Sequence, residues 1–178
     1  MGCTSSHLPV TVIGASGFLG SALVSGLLRD GFSVYALSRS PRLRIRHPRL
    51  IQVPVGDFRV CDWSRVLREN HSGPVVFAGG SSSVAASVTE PDKDFSTNVQ
   101  VVADLTQSLT DQRVARHLVL LSSAAVYGST GGTVVGDDHP CRPISPYGKN
   151  KWIAEQICRS RVRESALSVS LLRPFSVY

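Results

Sequence analysis

Cysteine is scarce in this 178-residue sequence, and long apolar runs are absent from it. The four cysteines form no CxxC pair and the five histidines are scattered, which argues against a disulfide framework or a metal site. No apolar run approaches the roughly 18 residues that cross a bilayer, and residues 1–9 lack the basic start and apolar stretch of a signal peptide. These absences predict a cytoplasmic protein without membrane contact.

Positive charge exceeds negative charge, with 19 Lys and Arg against 13 Asp and Glu. A basic run can bind nucleic acid, but the one in this chain has no interleaved aromatic residues and follows a predicted strand. We therefore expect no nucleic-acid partner. A solvated loop and a surface facing the phosphates of a nucleotide both remain open for this run. It comprises Arg39, Arg42, Arg44, Arg46, His47 and Arg49.

Short apolar runs alternate with segments of helical periodicity along the whole chain. The pattern predicts an α/β fold of the Rossmann type, a doubly wound parallel sheet with helices on both faces, over residues 1–178, of which residues 1–9 form a flexible tail. Residues 129–143 are rich in glycine and proline and are predicted as a loop. The predicted strands are Val10–Ile13, Phe32–Leu37, Leu50–Val53, Pro74–Ala78, His117–Ser122 and Ser168–Leu172. The predicted helices are Phe18–Arg29, Asp62–Asn70, Pro91–Thr110 and Ile144–Arg163.

A glycine-rich motif joins the first predicted strand to the first predicted helix. Glycine permits a tight turn, lets the backbone approach a pyrophosphate, and lets the helix pack closely on the strand. The N-terminus of the helix offers free N–H groups and a partial positive charge to phosphates. The motif therefore predicts a dinucleotide site, with a simple strand–helix turn as the alternative. Its predicted coenzyme contacts are Gly14, Ser16, Gly17, Phe18, Leu19 and Gly20.

Tyr147 and Lys151 are four residues apart on a predicted helix and therefore share one face. An ammonium near a phenol favours the phenolate, so we expect Lys151 to lower the pKa of Tyr147 toward neutrality for acid–base catalysis. Ser123 directly follows the fifth predicted strand, at the edge where open α/β sheets bind ligands. We predict that Ser123, Tyr147 and Lys151 are catalytic. An exposed amphipathic helix and a capping serine are the alternatives.

With these motifs in this order, the sequence resembles the extended short-chain dehydrogenase/reductases, the NAD(P)-dependent sugar epimerase/dehydratase family, from Val10 to Tyr178. Residues 123–128 resemble the UDP-glucose 4-epimerase-like members, whereas the 4,6-dehydratases carry an Asp-Glu pair at the position of Ala124 and Ala125. The resemblance implies adenine contacts by Asp57 and Phe58. It implies further coenzyme contacts by Phe77, Ala78, Gly79, Asn98, Tyr147, Lys151 and Phe175.

Ser38 and Arg39 directly follow the second predicted strand, where NAD-preferring members of this family carry an acidic residue. A serine and an arginine could instead receive a 2′-phosphate, which favours NADP over NAD and points toward a reductase. Epimerases of the UDP-galactose type generally use NAD, so both coenzymes stay open. Ser176 stands where epimerases often have a substrate-binding asparagine, so the sugar stays open as well.

The resemblance implies that Tyr147, as phenolate, takes a proton from a sugar hydroxyl, that Lys151 holds the ribose hydroxyls, and that Ser123 steadies the reacting oxygen. We predict a nucleotide-sugar 4-epimerase that works through a keto-sugar. An NADPH-dependent keto-sugar reductase and a non-catalytic dinucleotide sensor are the alternatives. Family members continue beyond the position of Tyr178 into a substrate domain, so we expect this chain to be a fragment with little or no turnover. A homodimer through the helices of Asn98 and Tyr147 is a further expectation.

Overall fold

The structure, a computed structural model, describes residues 8–39, 43–70, 73–112 and 117–177. Most of the predicted tail, Arg42 of the basic run and Tyr178 lie outside these ranges. Among the described residues, no helix combines the length and the apolar character that crossing a bilayer requires.

Six parallel strands form one sheet in the order β3-β2-β1-β4-β5-β6. The predicted doubly wound parallel sheet is confirmed. The order reverses between β1 and β4, which pair through Thr11–Val75, Val12–Val76 and Ile13–Phe77. A crevice opens beyond the carboxyl ends of the strands at such a reversal, and ligands bind there in open α/β sheets. The strands are β1 (Val10–Ile13), β2 (Val34–Ser38), β3 (Leu50–Pro54), β4 (Val75–Phe77), β5 (His117–Leu121) and β6 (Ser168–Leu172).

Helices cover both faces of this sheet, because the central strands point apolar side chains toward each face. Ile13 of β1 belongs to a large buried cluster, whereas its neighbour Val12 belongs to a smaller cluster on the other face. Leu105 packs in the large cluster and Val24 in the small one. Burial on both faces explains why the strands read as continuous apolar runs. The helices are α1 (Phe18–Arg29), α2 (Trp63–Asn70), α3 (Val84–Thr89), α4 (Pro91–Phe95), α5 (Val101–Gln112) and α6 (Pro146–Glu164).

Two features of the helices differ from the sequence prediction. Helix α3 was not predicted, because its buried side chain is the polar Ser87 while Val84 and Val88 are exposed, so it carries no apolar periodicity toward the core. The single helix predicted over residues 91–110 is divided into α4 and α5 by a π-helical turn at Ser96–Gln100. Single π-turns of this kind often occur at functional sites.

Candidate active site

Two cavities meet above the glycine turn at the carboxyl edge of the sheet. Both are lined by Gly17 and by the segment 78–81 that follows β4. One cavity, of about 400 Å³, extends toward Arg39 and Phe58. The other, of about 450 Å³, extends toward β5 and α6. The glycine turn therefore divides one crevice into a side near β2 and β3 and a side near β5.

Close packing fixes the shape of the glycine turn. Gly14 has φ +83°, and a Cβ atom there would lie 2.6 Å from the backbone nitrogen of Gly79. A Cβ atom on Gly20 would lie 2.1 Å from the carbonyl oxygen of Gly14. The N-cap residue of α1, Gly17, offers no side-chain acceptor, and the first turn holds no acidic residue. The N–H groups of that turn are thus left for an anion at the crevice.

Two glycines of α1 should respond in opposite directions to the same substitution. Gly20→Ala places a methyl group against backbone atoms that cannot move aside, so we expect a loss of about 1–3 kcal/mol in the free energy of unfolding. Gly26 meets nothing closer than the flexible end of Arg29, at 3.9 Å. Gly26→Ala should therefore stabilise the chain by about 0.5–1 kcal/mol. Urea unfolding of both variants measures the effect, and equal signs would contradict this account of the turn.

An ion pair shapes the side of the crevice near β2 and β3. The Asp57 carboxylate accepts hydrogen bonds from Nε and Nη2 of Arg59, the latter at 2.5 Å. These bonds hold the pKa of Asp57 at about 2, well below its ordinary value. Arg59 lines this cavity but was not predicted, although it lies only two residues from Asp57. Ser38 is buried and is not among the residues that line either cavity, so Arg39 alone represents the predicted pair there.

Ser123, Tyr147 and Lys151 all line the other cavity. Ser123 follows β5, and its side chain accepts a hydrogen bond from the Ala125 N–H at 3.1 Å. Tyr147 lies in the first turn of α6, and its N–H donates to Ser87 Oγ on α3 at 3.1 Å. Lys151 follows one turn later, with Nζ 6.0 Å from the centroid of the Tyr147 ring. The structure thus brings the three predicted catalytic side chains into one space.

The pKa values of this pair differ from the sequence prediction. Burial raises the pKa of Tyr147, and the negative charge of Asp94 raises it further. A hydrogen bond with Ser123 lowers this pKa, but by less than burial raises it. Burial also lowers the pKa of Lys151 to about 8, and its Nζ donates to the carbonyl oxygen of Leu121 at 3.0 Å. The prediction that Lys151 lowers the pKa of Tyr147 toward neutrality is wrong for this structure. The cost of burying the phenolate exceeds the attraction of the Lys151 ammonium, which bonds to a backbone carbonyl and whose charged form is itself disfavoured by burial.

Asn98 lies in the π-helical turn and is almost fully buried. Its Nδ2 donates to Asp94 at 2.9 Å, whereas its Oδ1 has no hydrogen-bond partner among the described residues. A Cβ atom on Gly80 would lie 2.5 Å from this Oδ1 and 3.6 Å from Lys151 Nζ. A buried acceptor without a partner is costly, so the Oδ1 beside Lys151 is suited to accept a hydroxyl from a ligand or a water.

A buried ion pair that the sequence did not reveal supports the other end of the cavity. Arg173, just after β6, donates to Glu155 of α6 from Nε at 2.9 Å and from Nη2 at 2.6 Å. Its remaining terminal nitrogen donates to the Tyr127 hydroxyl at 3.1 Å. The Tyr127 ring stacks on Phe175, which lines the cavity, with ring centroids 6.2 Å apart. The pair therefore connects α6 to the rim of the site.

A family model, described as the NAD dependent epimerase/dehydratase family, matches residues 10–178. The chain belongs to this family. UDP-glucose 4-epimerase from Lactobacillus helveticus is 31% identical over 176 residues, which cover 96% of this chain and 52% of the relative. UDP-glucose 4-epimerase from Neisseria meningitidis serogroup C is 32% identical over 178 residues, which cover 94% of this chain and 52% of the relative. The chain thus spans about half the length of the curated relatives it matches.

Solved structures agree with this membership of the epimerase/dehydratase family. MoeE5 in complex with UDP-glucose and NAD superimposes with a TM-score of 0.85 at 32% identity, over 96% of this chain and 55% of that protein. Thermus thermophilus UDP-glucose 4-epimerase, in complex with NAD, gives a TM-score of 0.82 at 28% identity, over 93% of this chain and 54% of the other. The similarity extends over nearly all of the chain.

Most of the predicted site residues line one of the two cavities. Arg59, Lys93, Asp94 and Ser122 also line them and were not predicted. Lys93 and Asp94 lie in a charged stretch that reads as a solvated helix face. Gly20, Ser38, Phe77 and Asn98 are not among the lining residues. The lining includes Gly14, Ser16, Gly17, Phe18, Leu19, Arg39, Asp57, Phe58, Ala78, Gly79, Ser123, Tyr147, Lys151 and Phe175. In the described ranges, no three His, Cys, Asp or Glu side chains are grouped to hold a metal ion.

Proposed function

We propose that this chain is the NAD(P)-binding domain of a nucleotide-sugar 4-epimerase. One observation carries the proposal: Ser123, Tyr147 and Lys151 share a cavity that joins the anion-binding turn at Gly17. That arrangement places acid–base groups beside a site for a diphosphate. The similar protein MoeE5 was solved in complex with UDP-glucose and NAD, which supports a nucleotide sugar as substrate and a nicotinamide dinucleotide as coenzyme.

The residues at the crevice fit such a coenzyme in three respects. The first turn of α1 offers backbone N–H groups without a competing side chain, suited to the diphosphate. Asp57 and Phe58 line the cavity near β2 and β3, which suits the adenosine part. The Oδ1 of Asn98, without a partner in the described part of the chain, lies behind Gly80 of the cavity lining, as Lys151 Nζ does, and is suited to a ribose hydroxyl. A bound nicotinamide coenzyme would supply the hydride acceptor and donor for this chemistry.

The chain's own part in this chemistry is proton transfer and orientation. Tyr147 takes the proton of the sugar hydroxyl when that carbon is oxidised and gives it back to the ketone oxygen when it is reduced. Ser123 hydrogen-bonds the same oxygen, and Lys151 supplies positive charge beside the phenol. Because burial raises the pKa of Tyr147, the protonated phenol is favoured, and the phenolate that accepts the sugar proton becomes more abundant as the pH rises.

Arg39 favours a second candidate, an NADPH-dependent keto-sugar reductase. Its guanidinium is exposed and lines the cavity beside Asp57 and Phe58. A guanidinium there suits the 2′-phosphate that distinguishes NADP from NAD. The coenzyme preference, a homodimer and the sugar itself stay predictions. An epimerase needs no net coenzyme, whereas a reductase consumes one NADPH for each ketone, and this difference separates the two functions.

The test uses the whole natural protein in which these 178 residues occur, here called the full-length protein. It is incubated with UDP-glucose, UDP-glucuronic acid or UDP-N-acetylglucosamine, each with NAD or NADP, and the products are separated by chromatography. We expect one sugar to be converted to its 4-epimer with only catalytic coenzyme. NADPH oxidation in proportion to a keto-sugar substrate would establish the reductase instead, and coenzyme binding without any conversion would establish the sensor. Arg39→Ala, with Arg44→Ala as the control, should weaken only the reaction with NADP.

A further inference from the structure

Asp94 is a buried carboxylate that the proposed chemistry does not use. It lies in α4, is 3% exposed, and accepts hydrogen bonds from Asn98 Nδ2 at 2.9 Å and Asn150 Nδ2 at 2.8 Å. Neither partner is charged. A buried carboxylate supported only by amides is costly, unless a positive charge lies close by. The nearby positive charge is Lys151, which is itself 5% exposed.

The two hydrogen bonds of Asp94 determine how its partners are oriented. A carboxylate can only accept, so Asn98 must present its NH₂ group to Asp94 and its Oδ1 to the opposite side. That side is the space beside Gly80, which Lys151 Nζ also faces. Asn150 precedes Lys151 in the chain, so its bond to Asp94 ties this turn of α6 to α4.

Asp94 is also the stronger of the two negative charges that favour the ammonium of Lys151. The ionisable groups around Lys151 are Asp94 from α4, Tyr147 and Glu155 from α6, and Arg173, which reaches Glu155 from the segment after β6. Arg173 binds both oxygens of Glu155 and so offsets its charge. The ion pairs of the described residues give Asp94 no such partner.

We propose that Asp94 is a positioning residue, which orients Asn98 and Asn150 and keeps Lys151 charged at the reacting centre. The proposal deepens the proposed function and rests on it for the meaning of that centre. Its physical content, the dependence of Lys151 on Asp94, is independent of any coenzyme or substrate. The two can therefore fail separately.

The sequence offers a direct test, because it contains only three lysines: Lys93, Lys149 and Lys151. The 178-residue chain is labelled with ¹³C at the lysine Cε, and the three resonances are followed by NMR as the pH is raised. Lys93 and Lys149 are exposed and serve as internal references. We expect Lys151 to titrate near pH 8 in the unmodified chain. In Asp94→Asn its midpoint should fall by at least about one pH unit, as expected when an opposite charge nearby is lost.

Asp92→Asn is the matched control, because it removes the same charge from an exposed position on the same helix. It should leave the Lys151 midpoint unchanged, and Asp94→Glu should restore most of the shift. If Asp94→Asn does not fold, Asp94→Ser provides the neutral variant. In the full-length protein, the limb of the pH–rate profile assigned to Lys151 should move to lower pH with the NMR midpoint. A Lys151 midpoint that is the same in the folded neutral variant and in the unmodified chain would overturn the proposal.

Discussion

Tyr147→Phe should lower the turnover of the full-length protein by about 10²- to 10⁴-fold, the usual contribution of a positioned acid–base group. Coenzyme affinity should change little. The anchor of Tyr147 on α3 is its backbone N–H, which donates to Ser87, and the variant keeps that bond. The hydroxyl that is lost bonds Ser123 within the cavity. Initial rates measure the first effect, and titration by NADH fluorescence measures the second.

Tyr35→Phe is the control, since Tyr35 is partly buried against the core and lies outside both cavities.

The dependence of the rate on pH gives a second expectation for Tyr147. Because the pKa of Tyr147 is raised, its phenolate fraction grows with pH, so the rate limited by alcohol oxidation should rise through the neutral range. That rise should disappear in Tyr147→Phe. Unchanged turnover in this variant would remove Tyr147 from the chemistry and favour the sensor, if coenzyme binding persisted.

The sheet and the glycine turn could be predicted because their signals are local. A parallel sheet with both faces covered needs apolar residues at successive positions, and each strand shows them as a short run. The turn needs glycine where a Cβ atom would meet backbone, and Gly14 and Gly20 meet that requirement within seven residues. The spacing of Tyr147 and Lys151 is equally local, since one turn of helix separates them.

The properties that could not be predicted depend on contacts between distant segments. Asp94 and Asn150 are bonded across 56 positions, and the backbone of Tyr147 is bonded to Ser87 across 60. No spacing rule reveals such pairs. The error on the pKa of Tyr147 has the same origin. The sequence shows that Lys151 is near, but not that both groups are buried, and burial decides the direction.

The pair of Arg173 and Glu155 illustrates how a distant contact can support the site. Glu155 is fully buried and also accepts a hydrogen bond from Ser122 Oγ at 2.5 Å. The guanidinium of Arg173 also lies over the Tyr127 ring, with its Cζ 4.9 Å from the ring centroid. One carboxylate thus links the ends of β5 and β6 to α6. These strand ends line the cavity, so the geometry of the site depends on charges that do not take part in the chemistry.

Arg173→Met should therefore destabilise the chain by about 3–5 kcal/mol, because it leaves the buried Glu155 carboxylate without its ion-pair partner. That is a large part of the roughly 5–15 kcal/mol that keeps a domain folded. Glu155→Leu combined with Arg173→Met should recover part of the loss, since it removes the buried charge and leaves only two neutral groups short of a partner, Ser122 without its acceptor and Tyr127 without its donor. Urea unfolding followed by circular dichroism measures all variants. Arg161→Met, which breaks a partly exposed pair on the same helix, should cost about 1 kcal/mol or less. If Arg173→Met cost no more than this control, the buried pair could not be what fastens the end of β6 to α6.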